Sequence, residues 1–191
     1  EEKIRQLYER LDALGSGDVL VLSGSIPNTL PDDMYERIME RLAGTDVRIG
    51  VDATKDLLMN VLKYHPFLIK PNNHELGEMF GVTLKSDEEI GEYARKLQKM
   101  GARNVLVSMA GDGAILVAED GSVLKQLPPA GEVVNSVGAG DSMVAGFLAG
   151  YLKTGSYEEA LKLGTAAGSA TAFTSWLADA DQIRETYKGL A

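Results

Sequence analysis

Four short, largely apolar runs, each closed by a polar cluster and separated from the next by a helical stretch, narrow the folds open to this chain. The runs are Val19–Leu22, Val47–Val51, Phe67–Ile69 and Val105–Val107. They are too short for helices. Val19–Leu22, apolar at every position, has the pattern of a strand buried on both faces. Between and before them, Glu1–Leu14, Pro31–Leu42, Asp56–Tyr64, Glu75–Phe80 and Asp87–Met100 read as helices, the first with Ile4, Leu7, Leu11 and Leu14 at helical spacing. Alternating strands and helices imply an α/β fold with a mainly parallel sheet covered on both faces. Ligands of such sheets sit at the carboxyl ends of the strands. The clusters Ser23–Ser25, Asp52, Lys70–Glu75 and Ser108–Gly113 all follow strands directly, so they are expected to converge on one edge. Ala114–Ala118 and Ser122–Leu127 flank Asp120-Gly121, a hairpin signal that adds an antiparallel pair. After Asp141 the chain reads as helical to Lys188, with Leu161, Ala167, Ala170, Phe173 and Trp176 as core.

A length of 191 residues with 45% hydrophobic content suits one core, so residues 1–191 are expected to form a single domain. The absence of cysteine excludes disulfides and thiolate metal sites and makes a reducing cytoplasm the expected location. No apolar run approaches the roughly 18 residues of a membrane span, and the acidic, amphipathic start is unlike a signal peptide. A net charge of −9 argues against nucleic acid as a partner. If phosphate binds, local amides and a few lysines must hold it against that charge.

Such a place exists at Asn135-Ser136-Val137-Gly138-Ala139-Gly140-Asp141-Ser142, where a glycine-rich turn runs into an apolar helix. Gly138, Ala139 and Gly140 leave their amides open to an anion, and the helix adds its positive dipole end. An aspartate here has one obvious task, which is to take a proton from an attacking hydroxyl at a phosphoryl-transfer centre. The alternative is a capped helix start with Asp141 as the N-cap.

The run Asn135–Leu148 resembles the second signature of the ribokinase-like (PfkB) carbohydrate kinases, a long motif. The resemblance implies a three-layer ribokinase-like sandwich in which Gly138, Ala139 and Gly140 form an anion hole for ATP phosphates and Asp141 is the catalytic base. Asn72-Asn73-His74-Glu75 is similar to the family's Asn-x-x-Glu motif, which implies that Asn72 and Glu75 organise water around the Mg2+ that accompanies ATP. Read alone, Asn72 is a loop residue and Glu75 a first-turn glutamate favoured by the helix dipole. Ser108, Met109, Ala110, Gly111, Asp112 and Gly113 resemble the loop that lies along the nucleotide, with Asn72 beside it; a tight turn needing glycine is the alternative. Ala110 departs from the family's usual glycine there, which implies a less close backbone approach.

Ser23-Gly24-Ser25-Ile26-Pro27 is similar to the Ser-Gly-Ser-Leu-Pro segment of the branch that phosphorylates sugar phosphates, implying that Ser25, with Asp141, meets the sugar phosphate. Asn28-Thr29 departs from that branch. Asp52 is expected to face the phosphates or the magnesium. Lys55 has the reach for a sugar phosphate, although a surface turn accounts for it better. His65 and His74 read as loop histidines, not a metal pair. Ala166–Ala170 is small enough to admit adenine or to pack a helix closely. A monovalent cation assists some relatives and is a further expectation.

The family's first strand, lid and Gly-Gly-x-x-Asn loop have no counterpart in this sequence. The expectation is a truncated, C-terminal nucleotide-binding part of a sugar-phosphate kinase whose exposed sheet edge pairs copies into a homo-oligomer. A catalytically silent nucleotide-binding fragment is the alternative. A Rossmann-type dehydrogenase is disfavoured because the glycine loop comes late, after the sheet is largely built.

Overall fold

The computed structural model describes residues 2–53 and 55–190, with the side chain of Lys55 outside the description. Helix α1 (Glu2–Asp12) leads to β1 (Val19–Ser23), followed by α2 (Met34–Arg41), β2 (Arg48–Asp52), α3 (Lys55–Val61) and β3 (Leu68–Ile69). Then come α4 (Asn73–Phe80), α5 (Asp87–Lys99), β4 (Asn104–Ser108), β5 (Ala114–Val117), β6 (Val123–Gln126), α6 (Ala139–Thr154), α7 (Tyr157–Ala172) and α8 (Ala180–Lys188).

The strands form one sheet in the order β1-β2-β3-β4-β5-β6. β1 to β4 are parallel, while β5 and β6 are antiparallel. The expected hairpin is present, turning at Gly121 with a φ of 90°. Side-chain alternation divides the core in two. Ile49, Val51, Ile69, Val105, Val107, Ile115 and Val117 face one layer of helices with Leu11, Ile38, Leu58, Leu76 and Leu97. Leu68, Leu106, Ala114 and Leu116 face the other with Met143, Val144, Phe147, Leu148 and Leu161. The expected three-layer α/β sandwich is therefore what forms.

β1 departs from the expectation that it is buried on both faces. It is an edge strand, and Val21, which points to the α6 side, is 42% exposed because no further strand or helix covers it among the described residues. Trp176 is not core but 78% exposed. α7 has ended at Ala172, so Trp176 lies in a loop to which helical spacing does not apply. Phe173, at the C-cap, is only half-buried. His74 is in the first turn of α4, and only His65 is a connecting residue.

α6 and α7 run antiparallel with their backbones nearly touching. A Cβ on Gly146 would stand 2.7 Å from Leu163 O and 2.8 Å from Ala167 Cβ, and one on Gly150 would stand 2.9 Å from Ala160 Cα. Gly164 and Gly168 are equally confined, by Met143 O at 3.0 Å and Ala139 O at 3.1 Å. Ala166, Ala167 and Ala170 are buried; Ala167 faces Gly146 across the contact. Close helix packing therefore accounts for much of the small-residue run. Gly146→Val is expected to cost about 1–3 kcal/mol through overpacking. Urea unfolding checks this, and an unchanged midpoint would refute the contact as drawn.

Candidate active site

The carboxyl ends of β1, β2, β3 and β4 carry Ser23, Asp52, Lys70 and Ser108, and parallel register brings them to one edge as expected. Lys70 leaves the shortest, most central strand and is 8% exposed. Its Nζ lies 3.3 Å from Asp52 Oδ1. The same ammonium would be 3.1 Å from a Cβ on Gly140, so the absent side chain is what lets the cation reach the glycine turn.

That turn is built on Gly138, which caps α6 with a φ of 80° and is covered by Leu177, whose Cδ2 would be 2.6 Å from a Cβ. The Ala139 amide donates to Ser136 O at 3.2 Å, and the Ser142 amide closes the first helical bond to Gly138 O at 2.9 Å. Among the described residues the amides of Gly138, Gly140 and Asp141 have no acceptor. Of the three expected anion-hole residues, Ala139 thus has its donor engaged, and Asp141 adds one. A helix N-terminus and a buried ammonium meeting at one point form a site for an anion.

Asp141 is the third residue of α6, not its N-cap. Its Oδ1 accepts the Ser23 hydroxyl at 2.8 Å. Ser23 is fixed by pairing with Asp52 and by Tyr35, whose hydroxyl donates to Ser23 O at 2.8 Å. Ser25, the expected substrate contact, lies two residues further along in the exposed loop. Burial pushes the Asp52 carboxyl above the usual range; Lys70 pulls it down, while Asp141 and Glu75 push it up. The Asp52 carboxyl therefore feels the charges of Asp141 and Glu75.

Asn72 and Glu75 form a reciprocal cap on α4. The Glu75 amide donates to Asn72 Oδ1 and the Asn72 amide to Glu75 Oε2, each at 2.8 Å. Glu75 Oε1 and the side-chain Nδ2 of Asn72 remain uncommitted in that cap. No group of three or more His, Cys, Asp or Glu able to hold a metal occurs among the described residues. Such a donor set suits Mg2+ that arrives on phosphate oxygens and keeps its waters, not an ion caged by protein.

In the second expected nucleotide loop the side chain of Met109 is buried in the core, so only its backbone is available there. Its amide donates to Gly113 O at 2.8 Å. Ala110 adopts a φ of 48°, in the left-handed region that favours glycine. Gly113 permits contact with Gln126 O, which a Cβ would meet at 2.1 Å. Ala110, Gly111 and Asp112 are exposed beside Ser108, which bridges to Asn72. Thr54 and the Lys55 side chain, with the sugar-phosphate role considered for the latter, lie outside the described residues.

Residue-type reasoning passed over Lys70 and chose Ser25 over Ser23. The signal for Lys70 was a lone cation directly after a buried strand and before Pro71.

Residues 1–180 match the family description "pfkB family carbohydrate kinase". The chain belongs to that family. It is 45% identical over 185 residues to the 1-phosphofructokinase of Bacillus subtilis, covering 97% of this chain and 61% of that protein. It is 36% identical to the D-tagatose-1-phosphate kinase of Bacillus licheniformis, covering 97% and 61%. Phosphofructokinase-2 of Escherichia coli, solved in complex with substrates and products, superposes with a TM-score of 0.88 at 29% identity, covering 98% of this chain and 62% of that one. This pfkB-family chain thus spans about three-fifths of these relatives' length.

The raised Asp52 carboxyl gives a pH test. The folded protein keeps that proton to higher pH than the unfolded chain does, so stability from this group falls as pH rises from the ordinary aspartate value of about 3.9 through the raised one. Asp52→Asn lacks this loss, so the stability of the wild type relative to the variant should fall across that interval. Parallel urea-stability curves would refute it.

Proposed function

We propose that this pfkB-family chain carries the nucleotide-binding and proton-accepting half of an ATP-dependent sugar-phosphate kinase acting on fructose 1-phosphate to give fructose 1,6-bisphosphate. The observation that carries the reading is the meeting of the Lys70 ammonium with the open α6 N-terminus at Gly140, one residue before Asp141. Asp141 takes the proton from the sugar's C6 hydroxyl as it attacks the γ-phosphorus of ATP. The amides of Gly138, Gly140 and Asp141, with Lys70, stabilise charge on the phosphoryl group in flight. Ser108 to Gly113 line the nucleotide, and Ser25 contributes from the β1 loop to the sugar side. Asn72 and Glu75 would order the water shell of Mg2+, which when bound screens the triphosphate charge. Asp141 must exchange its bond with the Ser23 hydroxyl for the substrate hydroxyl.

Fructose 1-phosphate is favoured by the 45% identity to a 1-phosphofructokinase. Tagatose 6-phosphate is the alternative sugar in the branch that phosphorylates sugar phosphates, but the tagatose kinase among the relatives is named for the 1-phosphate. A ketose 1-phosphate is therefore the better class. A monovalent cation is a second-order expectation, supported by a potassium complex of phosphofructokinase-2 of Escherichia coli. No described helix is long and apolar enough to cross a membrane.

The deciding assay measures ADP release with Mg-ATP and fructose 1-phosphate, tagatose 1-phosphate or tagatose 6-phosphate in parallel. Asp141→Asn in the active protein should lower kcat by orders of magnitude and leave Mg-ATP affinity nearly unchanged. Undiminished turnover would remove Asp141 from its role. Mg-ATP binding without turnover by the 191-residue chain would assign it the silent, nucleotide-binding role. The open edge of β1, with Val21 exposed, supports self-association, as does a tetrameric form of the Escherichia coli phosphofructokinase-2. Light scattering should find an oligomer; a monomeric mass at high concentration would refute it.

A further inference from the structure

α7 ends on a buried hydroxyl that the proposed chemistry does not use. Thr171 is 1% exposed, as is Thr165, whose hydroxyl has no hydrogen-bond partner among the described residues. Thr171, by contrast, is engaged on every side. Its Oγ1 lies 2.9 Å from Ser142 Oγ, in the first turn of α6, and accepts the Ala178 amide at 3.2 Å. Its carbonyl accepts the Thr174 hydroxyl at 3.0 Å. The adjoining Ala172 carbonyl takes the amides of Val134 and Asn135 at 2.8 and 3.1 Å.

Three segments therefore meet here: the approach to the glycine turn, the first turn of α6, and the loop 174–178. Other contacts close the same circle. Asn135 Nδ2 donates to Ser175 O at 3.2 Å, Trp176 O is a second acceptor within reach of the Thr174 hydroxyl, and Leu177 covers Gly138. Thr171 Oγ1 is a single atom hydrogen-bonded both to α6 and to the 174–178 loop.

We propose that Thr171 is a positioning residue for the phosphate-binding turn, one that acts through Ser142 and Ala178 and never touches substrate. Its hydroxyl fixes the first turn of α6 against the loop that covers Gly138, and so sets the aim of the Gly140 and Asp141 amides and of the Asp141 carboxylate. The inference rests on the kinase reading for its catalytic consequence, though not for its structural one. Groups that stabilise a transition state must be held within a fraction of an ångström, and a displacement of about 1 Å costs on the order of 100-fold. A buried hydroxyl shared by two elements provides that restraint.

The test uses the full-length protein that carries this chain, with Thr171→Val, which keeps the shape but removes the hydroxyl, and Thr171→Ser, which keeps it. Thr171→Val should lower kcat about 10- to 100-fold while KM for ATP changes less than about threefold, and Thr171→Ser should restore kcat to within about threefold. Hydrogen exchange read on the same proteins should speed up together at residues 138–142 and 174–178 in Thr171→Val and not in Thr171→Ser. If Thr171→Val does not fold, Ser142→Ala cuts the same bond from the α6 side, and the same kcat loss and the same exchange pattern are expected. Wild-type kcat and unchanged exchange in these variants would overturn the proposal, as would a loss of activity that only follows the loss of folded protein. A wild type that transfers no phosphoryl group would overturn the kinase reading instead, and the exchange comparison would still decide the role of Thr171.

Discussion

Four glycines decide where α6 comes to rest, because at Gly146, Gly150, Gly164 and Gly168 the space for a Cβ is already taken by the facing helix. Side chains of ordinary size would hold the two axes farther apart. With α6 drawn onto α7, Met143, Val144, Phe147 and Leu148 settle on the sheet, Leu148 lying over Gly50 of β2. The N-terminus of α6 then overhangs the ends of β1 to β3. A contact made only of backbone and small side chains, distant from any substrate, thus sets the reach between Asp141 and Ser23 and between Gly140 and Lys70.

Electrostatics at that overhang runs against the chain as a whole. The protein carries a net charge of −9, yet its strand-end edge places a buried ammonium beside a helix N-terminus. Two positive features so close repel unless an anion lies between or beside them. Asp52 supplies that anion to Lys70 within the protein, at the cost of its own desolvation, which is why its carboxyl is held high. A bound phosphate would offer Lys70 a second partner without displacing the first, since the ammonium has three donors.

Most of the architecture was legible in the sequence because its inner strands have mainly apolar centres and its turns carry glycine or polar clusters. Strand order was not, since the period of a run says nothing of its neighbours. β1 shows this: Val19–Leu22 has the pattern of an interior strand, while among the described residues it lies at the sheet edge with Val21 exposed. Trp176 failed differently, because helical spacing was carried past the end of α7 into a loop. At the site, Asn72, Glu75 and Gly138 to Asp141 could be singled out as candidates because the chain keeps each motif contiguous. Lys70, Tyr35 and Thr171 were passed over because they act through partners 12 to 29 residues away. Ala110 was flagged as a departure, and its left-handed φ places the difference in backbone conformation.

The first amides of α6 stay open where those of four other helices are taken by a cap, and α2, whose N-cap Asp33 makes no side-chain cap bond, is another uncapped start. α4, α5, α7 and α8 each begin with a side chain accepting one or two of their first amides, from Asn72, Ser86, Ser156 and Asp179. A buried or capped amide is no longer available to a ligand. α6 begins with glycine instead, which has no side chain to offer, and Ser136 O takes only the Ala139 amide. The neighbouring donors that would distort the turn are meanwhile consumed, those of Val134 and Asn135 by Ala172 O and that of Val137 by Asn135 Oδ1. Satisfied amides on either side thus hold the loop rigid, while Gly138, Gly140 and Asp141 present theirs. An anion bound there meets donors that need no reorganisation, the condition under which hydrogen bonds contribute most to a transition state.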